Sequence, residues 1–321
     1  MPLIPELKTR ERQPDNGLPH VLCIAGPTAS GKTSLAVEAA QLLGGEIISA
    51  DSMQIYKYMD IGTAKPTAAE QGGIPHHLID FLEPSEEYSV VQYVEAAKAL
   101  ITDISHRGRV PIIAGGTGQY ISALVDNLDF DRSEPDPAIK AEVEAQLAER
   151  GRDHIHARLA ELDPDAAEQI HPNNVKRVVR ALEMRLTTGL TLTERNANSR
   201  KRPVFARYSV FGIDVDRTEL YARIDRRVDA MIAAGLEAEA RFVATLHPGR
   251  TASQAIGYKE FAPYFAGEAT LGEVTELIKK NSRNYAKRQL TWFRRPDWVN
   301  WRTADDILSV LARYPSVTST S

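Results

Sequence analysis

Two hydrophobic periodicities alternate along the first 130 residues. Short apolar runs, which predict buried strands, occur at Val21–Ala25, Glu46–Ala50 and Arg109–Ala114. Between them, Thr33–Leu43 and Val90–His106 carry apolar residues at helical spacing. Strands that alternate with helices predict an α/β fold, in which helices flank a parallel sheet.

The pattern changes in the middle of the chain. Asp131–Pro203 is charged and rich in helix signals, with apolar residues three and four apart through Ala138–Leu147 and Val175–Leu186 and no clear strand. Phe205–Ile213 returns to strand character, and the chain up to Asp297 is mostly helical in pattern. We therefore predict a discontinuous core at 19–130 and 204–314, an inserted helical domain at 131–203, a flexible leader at 1–18 and a disordered tail at 315–321.

Composition narrows the class of protein. The 321 residues are 43% hydrophobic, which is enough for a full core. The single cysteine, Cys23, lies in an apolar run, so we expect it to be buried, and it excludes a disulfide within the chain. No run suits a signal peptide or a membrane span, and nothing demands a partner subunit, so we expect a cytoplasmic monomer without a membrane partner. The net charge of -4 does not exclude nucleic acid, because binding depends on where the positive charge lies.

A phosphate-binding motif follows the first strand. The run GPTASGKT matches G-x-x-x-x-G-K-[ST] between a strand and a helix, which predicts a P-loop NTPase-like core. Lys32 supplies a charge, and the hydroxyl of Thr33 suits Mg²⁺. The predicted phosphate ligands are Gly26, Pro27, Thr28, Ala29, Ser30, Gly31, Lys32 and Thr33. Such a loop does not distinguish ATP from an allylic diphosphate, but Ile112–Ala114 ends in Gly115–Gly118 instead of an aspartate, which disfavours an ATPase.

Basic residues are concentrated near the end of the chain. Lys279–Arg295 holds seven Lys or Arg and no acid. On a helix, Lys280, Arg283, Lys287 and Arg294 would share one face, with Ile278, Tyr285, Trp292 and Phe293 broadly opposite. This pattern is typical of a surface that contacts RNA phosphates, and a merely soluble basic helix is the alternative. The consecutive residues His76 and His77 point in different directions, so we expect a structural loop and no metal pair.

A series of motifs in fixed order extends over nearly the whole chain. It comprises GPTASGKT at 26–33, ADSMQIYKYMDIGTAKP at 50–66, PHHLID at 75–80, GGTGQY at 115–120, HPNNVKRVVRALE at 171–183, AIGYKE at 255–260 and KRQLTWFRR at 287–295. In this series the chain resembles bacterial tRNA dimethylallyltransferases. The resemblance implies transfer of a dimethylallyl group from dimethylallyl diphosphate to N6 of adenine 37, next to the anticodon, in tRNAs that read codons beginning with U. Gln119 departs from the family's usual apolar residue, which bears on the shape of the prenyl channel.

The resemblance also implies catalytic roles. Asp51, at the carboxyl end of the second strand, matches the family's general base. Thr117 and Arg223 match residues that contact the diphosphate. We expect the neighbours Arg226 and Arg227 to form an ordinary solvated helix face.

Contacts with the tRNA anticodon stem-loop are implied in four segments. The target base would turn out of its stack into the crevice and meet Asp51, Ser52, Met53, Gln54 and Thr117. The helical insertion would contact the stem-loop through Lys176, Arg177, Val178, Val179 and Arg180. Further contacts are implied for Gln254, Ala255, Ile256, Gly257, Tyr258 and Lys259, and for Lys287, Arg288, Gln289, Leu290, Thr291, Trp292, Phe293 and Arg294.

Three other functions remain open from the sequence. A small-molecule kinase would place ATP on the loop and use Asp51 to deprotonate a hydroxyl, but it leaves the late basic stretch unexplained. An RNA-binding protein that uses nucleotide as a switch leaves Asp51 without a role. A prenyltransferase acting on AMP would not need two extended basic surfaces.

Overall fold

A computed structural model of the chain describes residues 17–128, 136–201 and 204–313. The six strands are β1 (His20–Ala25), β2 (Gly45–Ser49), β3 (His76–His77), β4 (Val110–Gly115), β5 (Arg207–Ile213) and β6 (Val299–Arg302). The helices are α1 (Lys32–Leu43), α2 (Ala68–Gln71), α3 (Val90–His106), α4 (Gly118–Val125), α5 (Pro137–Leu162), α6 (Pro164–Gln169), α7 (Val175–Thr188), α8 (Leu192–Lys201), α9 (Arg217–Ala233), α10 (Leu236–Thr245), α11 (Ala262–Phe265), α12 (Leu271–Phe293) and α13 (Ala304–Leu311). Single 3₁₀ turns lie at Ala252–Gln254 and Lys259–Phe261.

All six strands form one parallel sheet in the order β3-β2-β4-β1-β5-β6. The predicted α/β class with a parallel sheet and flanking helices is therefore confirmed. The connections from β1 and β4 leave in opposite directions across the sheet, because β2 lies on one side of this central pair and β5 on the other. In open parallel sheets, such a switch point creates a crevice at the carboxyl ends of the strands.

Apolar helix faces cover the sheet. Leu35, Ala39 and Leu43 of α1 are buried in one cluster with Ile112 of β4 and Phe211 of β5. Small residues at helical spacing let α1 approach the sheet closely, and Gly44 ends the helix in the left-handed conformation. A second cluster lies among α9, α10 and α12. Cys23 is fully buried in β1, as predicted.

Contacts divide the chain into two compact units. One contains the described residues up to Val125 and from Phe205 onward, and the other runs from Asp126 to Val204. The second unit is helical throughout its described residues, α5 to α8, and its core includes Val143, Ile155 and Leu182. The leader and tail predicted at 1–18 and 315–321 lie almost entirely outside the described residues.

The structure differs from the sequence prediction at several short elements. His76 and His77 form strand β3, not a loop, and His77 contacts the buried Glu46 of β2 at 2.8 Å. A strand of two residues has no periodicity that a sequence pattern could reveal. Strand β6 and helix α13 at the carboxyl end were also missed. No helix among the described residues is both long and apolar enough to span a membrane.

Candidate functional site

A cavity of about 290 Å³ opens at the carboxyl ends of β1, β2 and β4. Its lining comes from the start of α1, the segments that follow β2 and β4, helices α9 and α12, and the turn before α11. The lining residues that bear on the chemistry are Thr28, Lys32, Thr33, Asp51, Ser52, Met53, Gln54, Gly62, Ala64, Arg227, Gln254, Ala255, Ile256, Gly257, Lys259, Tyr285, Arg288 and Gln289. Gln119 is exposed and does not line this cavity.

The loop between β1 and α1 has the backbone of an anion cradle. Ala29 and Gly31 both have positive φ, at 61° and 90°. Left-handed residues at alternate positions are typical of backbone nests, in which amide N–H groups converge on an anion. The cradle ends at the start of a helix, where further N–H groups have no partner within the helix. Ser30 is buried, and its hydroxyl has no hydrogen-bond partner among the described residues.

Lys32 is the cation of this loop. Its ammonium group donates to the carbonyl of Pro27 at 2.6 Å. Part of the side chain reaches solvent, but burial of the ammonium group lowers the pKa of Lys32 to about 8, while Asp51 opposes and Arg227 reinforces that shift. An opposite charge close to the ammonium group, such as a diphosphate, would raise this pKa again.

Asp51 shares the cavity with this loop. It follows β2, and its Oδ1 accepts the N–H of Met53 at 2.9 Å and, more weakly, that of Gln54 at 3.4 Å. Among the described residues, no hydrogen bond reaches Oδ2. One oxygen therefore fixes the orientation of the carboxylate, and the other remains available as a proton acceptor.

Thr117 lies against Ser52, and it is not among the residues that line the cavity. Its hydroxyl oxygen accepts the N–H of Ser52 at 2.9 Å, and its own N–H donates to the carbonyl of Ala50 at 3.0 Å. The expected contact with the diphosphate is not supported by this geometry. Thr117 instead joins the segment after β4 to the segment that carries Asp51.

The glycines after β4 make room for α12. A Cβ atom on Gly116 would lie 2.2 Å from Nε2 of Gln289, and one on Gly118 would lie 2.3 Å from Cδ1 of Trp292. Gln289 is buried, accepts the N–H of Thr28 at 2.8 Å and donates to the carbonyl of Gly116 at 2.9 Å. Both polar atoms of its amide are thus used within the protein, and its contact with tRNA stays a prediction.

Arg227 was expected on a solvated face, and that expectation is wrong. It lines the cavity beside Lys32, and burial lowers its pKa while the carboxylates of Asp51 and Glu70 oppose this. Arg223, one turn earlier on α9, lies at an outer opening next to the same loop and pairs with Glu219 at 2.8 Å. Arg227 follows the buried Ile224 by three residues on α9, but no signal in the sequence separates it from the neighbouring Arg226.

Glu239 of α10 fixes one wall of the cavity. Its carboxylate accepts the N–H groups of Asp60, Ile61 and Gly62 at 3.0, 2.8 and 2.9 Å, and the hydroxyl of Tyr258 at 2.6 Å. Tyr258 is thus buried against Glu239, and the prediction that it contacts tRNA is wrong. Sequence reasoning gave no signal for Glu239, because an acid on an amphipathic helix is usually solvated.

The amide of Gln54 supports the same wall. Its Nε2 donates to the carbonyls of Thr63 and Ala64 at 3.2 and 3.1 Å. The amide N–H groups of Gln54 are therefore used within the protein, which leaves only its oxygen for an incoming base.

Exposed cations occur in both units. Lys176, Arg177 and Arg180 of α7 are exposed, whereas Val178 is buried in the core of the helical unit, so its predicted RNA contact is wrong. An exposed group at the end of α12 comprises Lys287, Arg288, Thr291, Trp292 and the C-cap residue Arg294. Phe293 is fully buried, which contradicts its predicted RNA contact, and Leu290 is half-buried. Trp292 was predicted on the apolar face of the helix, but it is exposed. Arg283 was predicted on the basic face, and its guanidinium group pairs with the carboxylate of Asp225.

Fold and site together define an α/β protein whose cavity, at the carboxyl edge of a parallel sheet, combines a nest-like loop, a lysine and one carboxylate. The family model described as IPP transferase matches residues 54–296. The chain belongs to the IPP transferase family. The resemblance drawn from the motifs is confirmed at that level, and so is the predicted class, an enzyme that transfers prenyl groups.

Relatives and solved structures agree with this placement. A tRNA dimethylallyltransferase of Acetivibrio thermocellus is 47% identical over 289 residues, which cover 89% of this chain and 92% of the relative. The crystal structure of a tRNA isopentenylpyrophosphate transferase from Bacillus halodurans matches with a TM-score of 0.66 and 41% identity, covering 92% of this chain and 97% of that chain. A eukaryotic dimethylallyltransferase acting on tRNA matches with a TM-score of 0.75 and 31% identity, covering 90% and 75%.

Proposed function

We propose that this chain transfers the dimethylallyl group of dimethylallyl diphosphate to N6 of adenine 37 in tRNAs that read codons beginning with U. The observation that carries the proposal is the shared cavity of the loop Gly26–Thr33 and the carboxylate of Asp51. The reaction needs an anion cradle and a proton acceptor on either side of one reacting carbon. Because its substrate is a tRNA, we place the reaction in the cytoplasm.

The diphosphate is proposed to bind to the loop as a P-loop binds phosphates. Backbone N–H groups, Lys32 and Arg227 face the cavity, and Arg223 lies at its outer opening. Negative charge grows on the diphosphate as the allylic C–O bond breaks, and fixed cations in a dry site stabilise that charge. Arg227 thereby joins the residues inferred from the sequence.

Thr33 suits a magnesium ion. It is the second residue of α1 and lines the cavity, and its hydroxyl has no hydrogen-bond partner among the described residues. Mg²⁺ commonly takes one or two protein oxygens together with substrate phosphates and water, so this donor set fits. When bound, the ion would neutralise charge on the diphosphate.

Asp51 is the proposed general base. The N6 lone pair forms the new C–N bond, the electron pair of the C–O bond leaves with diphosphate, and the N6 proton passes to Oδ2 of Asp51. The hydrogen bonds from Met53 and Gln54 hold Oδ1 and orient the carboxylate. Ser52, Ile256 and Gly257 line the same cavity and are placed to contact the incoming base.

The tRNA is proposed to bind the exposed cations outside the cavity. Two of these cations are Lys287 of α12 and Arg294, which caps that helix. With the exposed residues Lys176, Arg177 and Arg180 of the helical unit, they are suited to backbone phosphates of the anticodon stem-loop. Nothing in this reaction requires a second protein chain, so a monomer suffices.

One incubation tests the function. The purified protein is given dimethylallyl diphosphate or ATP, together with unmodified tRNA or AMP, and the nucleosides are analysed. We expect prenylated adenosine in tRNA, only with the allylic diphosphate. ATP turnover without prenylated tRNA would favour the kinase, and prenylated AMP would favour the free-nucleotide enzyme.

A further inference from the structure

The side-chain amide of Gln289 joins two segments that follow neighbouring strands. Its Oε1 accepts the N–H of Thr28, in the loop after β1, at 2.8 Å. Its Nε2 donates to the carbonyl of Gly116, after β4, at 2.9 Å. Gln289 is 5% exposed, its hydrogen bond to Gly116 is buried, and its hydrogen bond from Thr28 is partly buried at the cavity. A buried amide bridge of this kind fixes the separation of the two segments.

The fit of Gln289 is steric as well as polar. The gap between Gly116 and Nε2 of Gln289 would not admit a Cβ atom, which would lie at 2.2 Å. One turn further along α12, Trp292 covers Gly118 in the same way and donates from Nε1 to Ser122 at 2.9 Å. Helix α12 therefore packs directly against the glycines after β4, and Gln289 reaches from this contact to the loop after β1.

We propose that Gln289 is a positioning residue for the prenyl donor, and not a contact with RNA. It holds Thr28 so that the remaining N–H groups of the loop are arranged before the diphosphate arrives. Without the bridge, the loop would gain conformations that diphosphate binding must restrict, and this cost falls on donor affinity. The inference rests on the proposed function, which makes the diphosphate the ligand of this loop.

The test exchanges the amide for an apolar side chain of similar length. In Gln289→Met, we expect the KM for dimethylallyl diphosphate to rise about tenfold, because a buried and a partly buried hydrogen bond are lost. The kcat at saturating donor and the KM for tRNA should stay within about threefold. Titration with inorganic diphosphate should show a matching loss of affinity. If Gln289 only stabilised the fold, Gln289→Met would lower Tm without raising the KM for the donor selectively over the KM for tRNA.

Two further variants complete the design. Gly116→Ala leaves Gln289 in the chain but displaces its amide, so it should reproduce the donor defect, and it keeps the test available if Gln289→Met does not fold. Asn300→Leu is the matched control, because Asn300, on the far strand β6, is another buried amide and donates to the carbonyl of Val210 in β5 at 3.1 Å. It should lower Tm and leave the KM for the donor unchanged.

The outcomes separate the two claims. A raised KM for tRNA with unchanged donor constants would make Gln289 an RNA contact and overturn the inference. Unchanged constants for both substrates would overturn it too. If the unaltered protein binds inorganic diphosphate but makes no prenylated adenosine, the proposed function fails, while the diphosphate titrations still decide the role of Gln289.

Discussion

Donor binding should depend on pH through Lys32. Burial lowers the pKa of its ammonium group to about 8, so the cation that meets the diphosphate is partly neutral at mildly alkaline pH. With this pKa, Lys32 is about 90% protonated at pH 7 and about 10% at pH 9. If the diphosphate binds tightly only to the protonated form, its affinity falls about tenfold between those values. The ligand itself does not titrate there, because the last ionisation of a phosphate lies near pH 6.

The same argument predicts proton uptake. A bound diphosphate favours the charged ammonium group and returns its pKa towards the ordinary value of about 10.4. At pH 8, binding should therefore take up about half a proton, and uptake should vanish towards pH 6, where Lys32 is already charged. Calorimetric titration of dimethylallyl diphosphate without tRNA, in buffers of different ionisation enthalpy, measures this number directly.

Two variants probe the cause of the shift. Lys32→Met should bind the donor more weakly and with no uptake at pH 8. Asp51→Asn removes a neighbour that raises the pKa of Lys32, so uptake should move to lower pH. Binding without proton uptake at pH 8 in the unaltered protein would refute the assignment of Lys32 as the titrating cation beside the diphosphate.

Three more predictions concern the base, the cavity wall and the RNA surface. Asp51→Asn keeps an oxygen that can accept the N–H of Met53 but removes the proton acceptor, so transfer should slow about 10²- to 10⁴-fold while tRNA affinity stays within a few-fold. A parallel loss of tRNA binding would contradict a proton-accepting role. Glu239→Gln should lower the free energy of unfolding by about 2–3 kcal/mol in denaturant titrations, because one of the two oxygens that accept the N–H groups of Ile61 and Gly62 is replaced by an amide donor. The control Glu237→Gln, at a surface pair with Arg241, should cost under about 1 kcal/mol, and equal losses in the two variants would contradict the role of Glu239 in the cavity wall. Lys287→Ala should reduce the log–log salt slope of tRNA binding by about 0.7–0.9. Lys279 is the control, because its ammonium group is paired with Asp229 and Glu276, so Lys279→Ala should leave the slope unchanged. An unaltered slope for Lys287→Ala would place that residue away from RNA phosphates.

The long elements and the phosphate loop could be predicted because their signals are local. Helix α3 runs from Val90 to His106 as predicted, since apolar spacing and a Ser89 capping box mark its start. The predicted bounds of β1, β2, β4 and β5 differ from the observed bounds by one or two residues at most. Strand β6 was missed because VNWR is too short for a period of two to be recognised, and its register depends on β5.

The missed site residues depend on tertiary contacts. A run of Arg on α9 looks uniformly solvated, and only the position of that helix against the cavity separates the half-buried Arg227 from the exposed Arg226. Glu239 acquires its role from backbone N–H groups about 180 residues earlier in the chain. Contacts of this separation leave no pattern in either segment alone.

Helix α12 explains why consecutive residues in one motif need different functions. Ile278, Ser282, Tyr285 and Gln289 recur at helical spacing and line the cavity. Lys287, Thr291 and Arg294 recur at the same spacing and are exposed. A helix turns by about 100° per residue, so a contiguous run such as KRQLTWFRR cannot serve RNA at every position. The helix instead carries the proposed donor-positioning amide on one side and the proposed RNA-binding cations on another, and a contact assigned to the motif as a whole must be divided by face before any residue is tested.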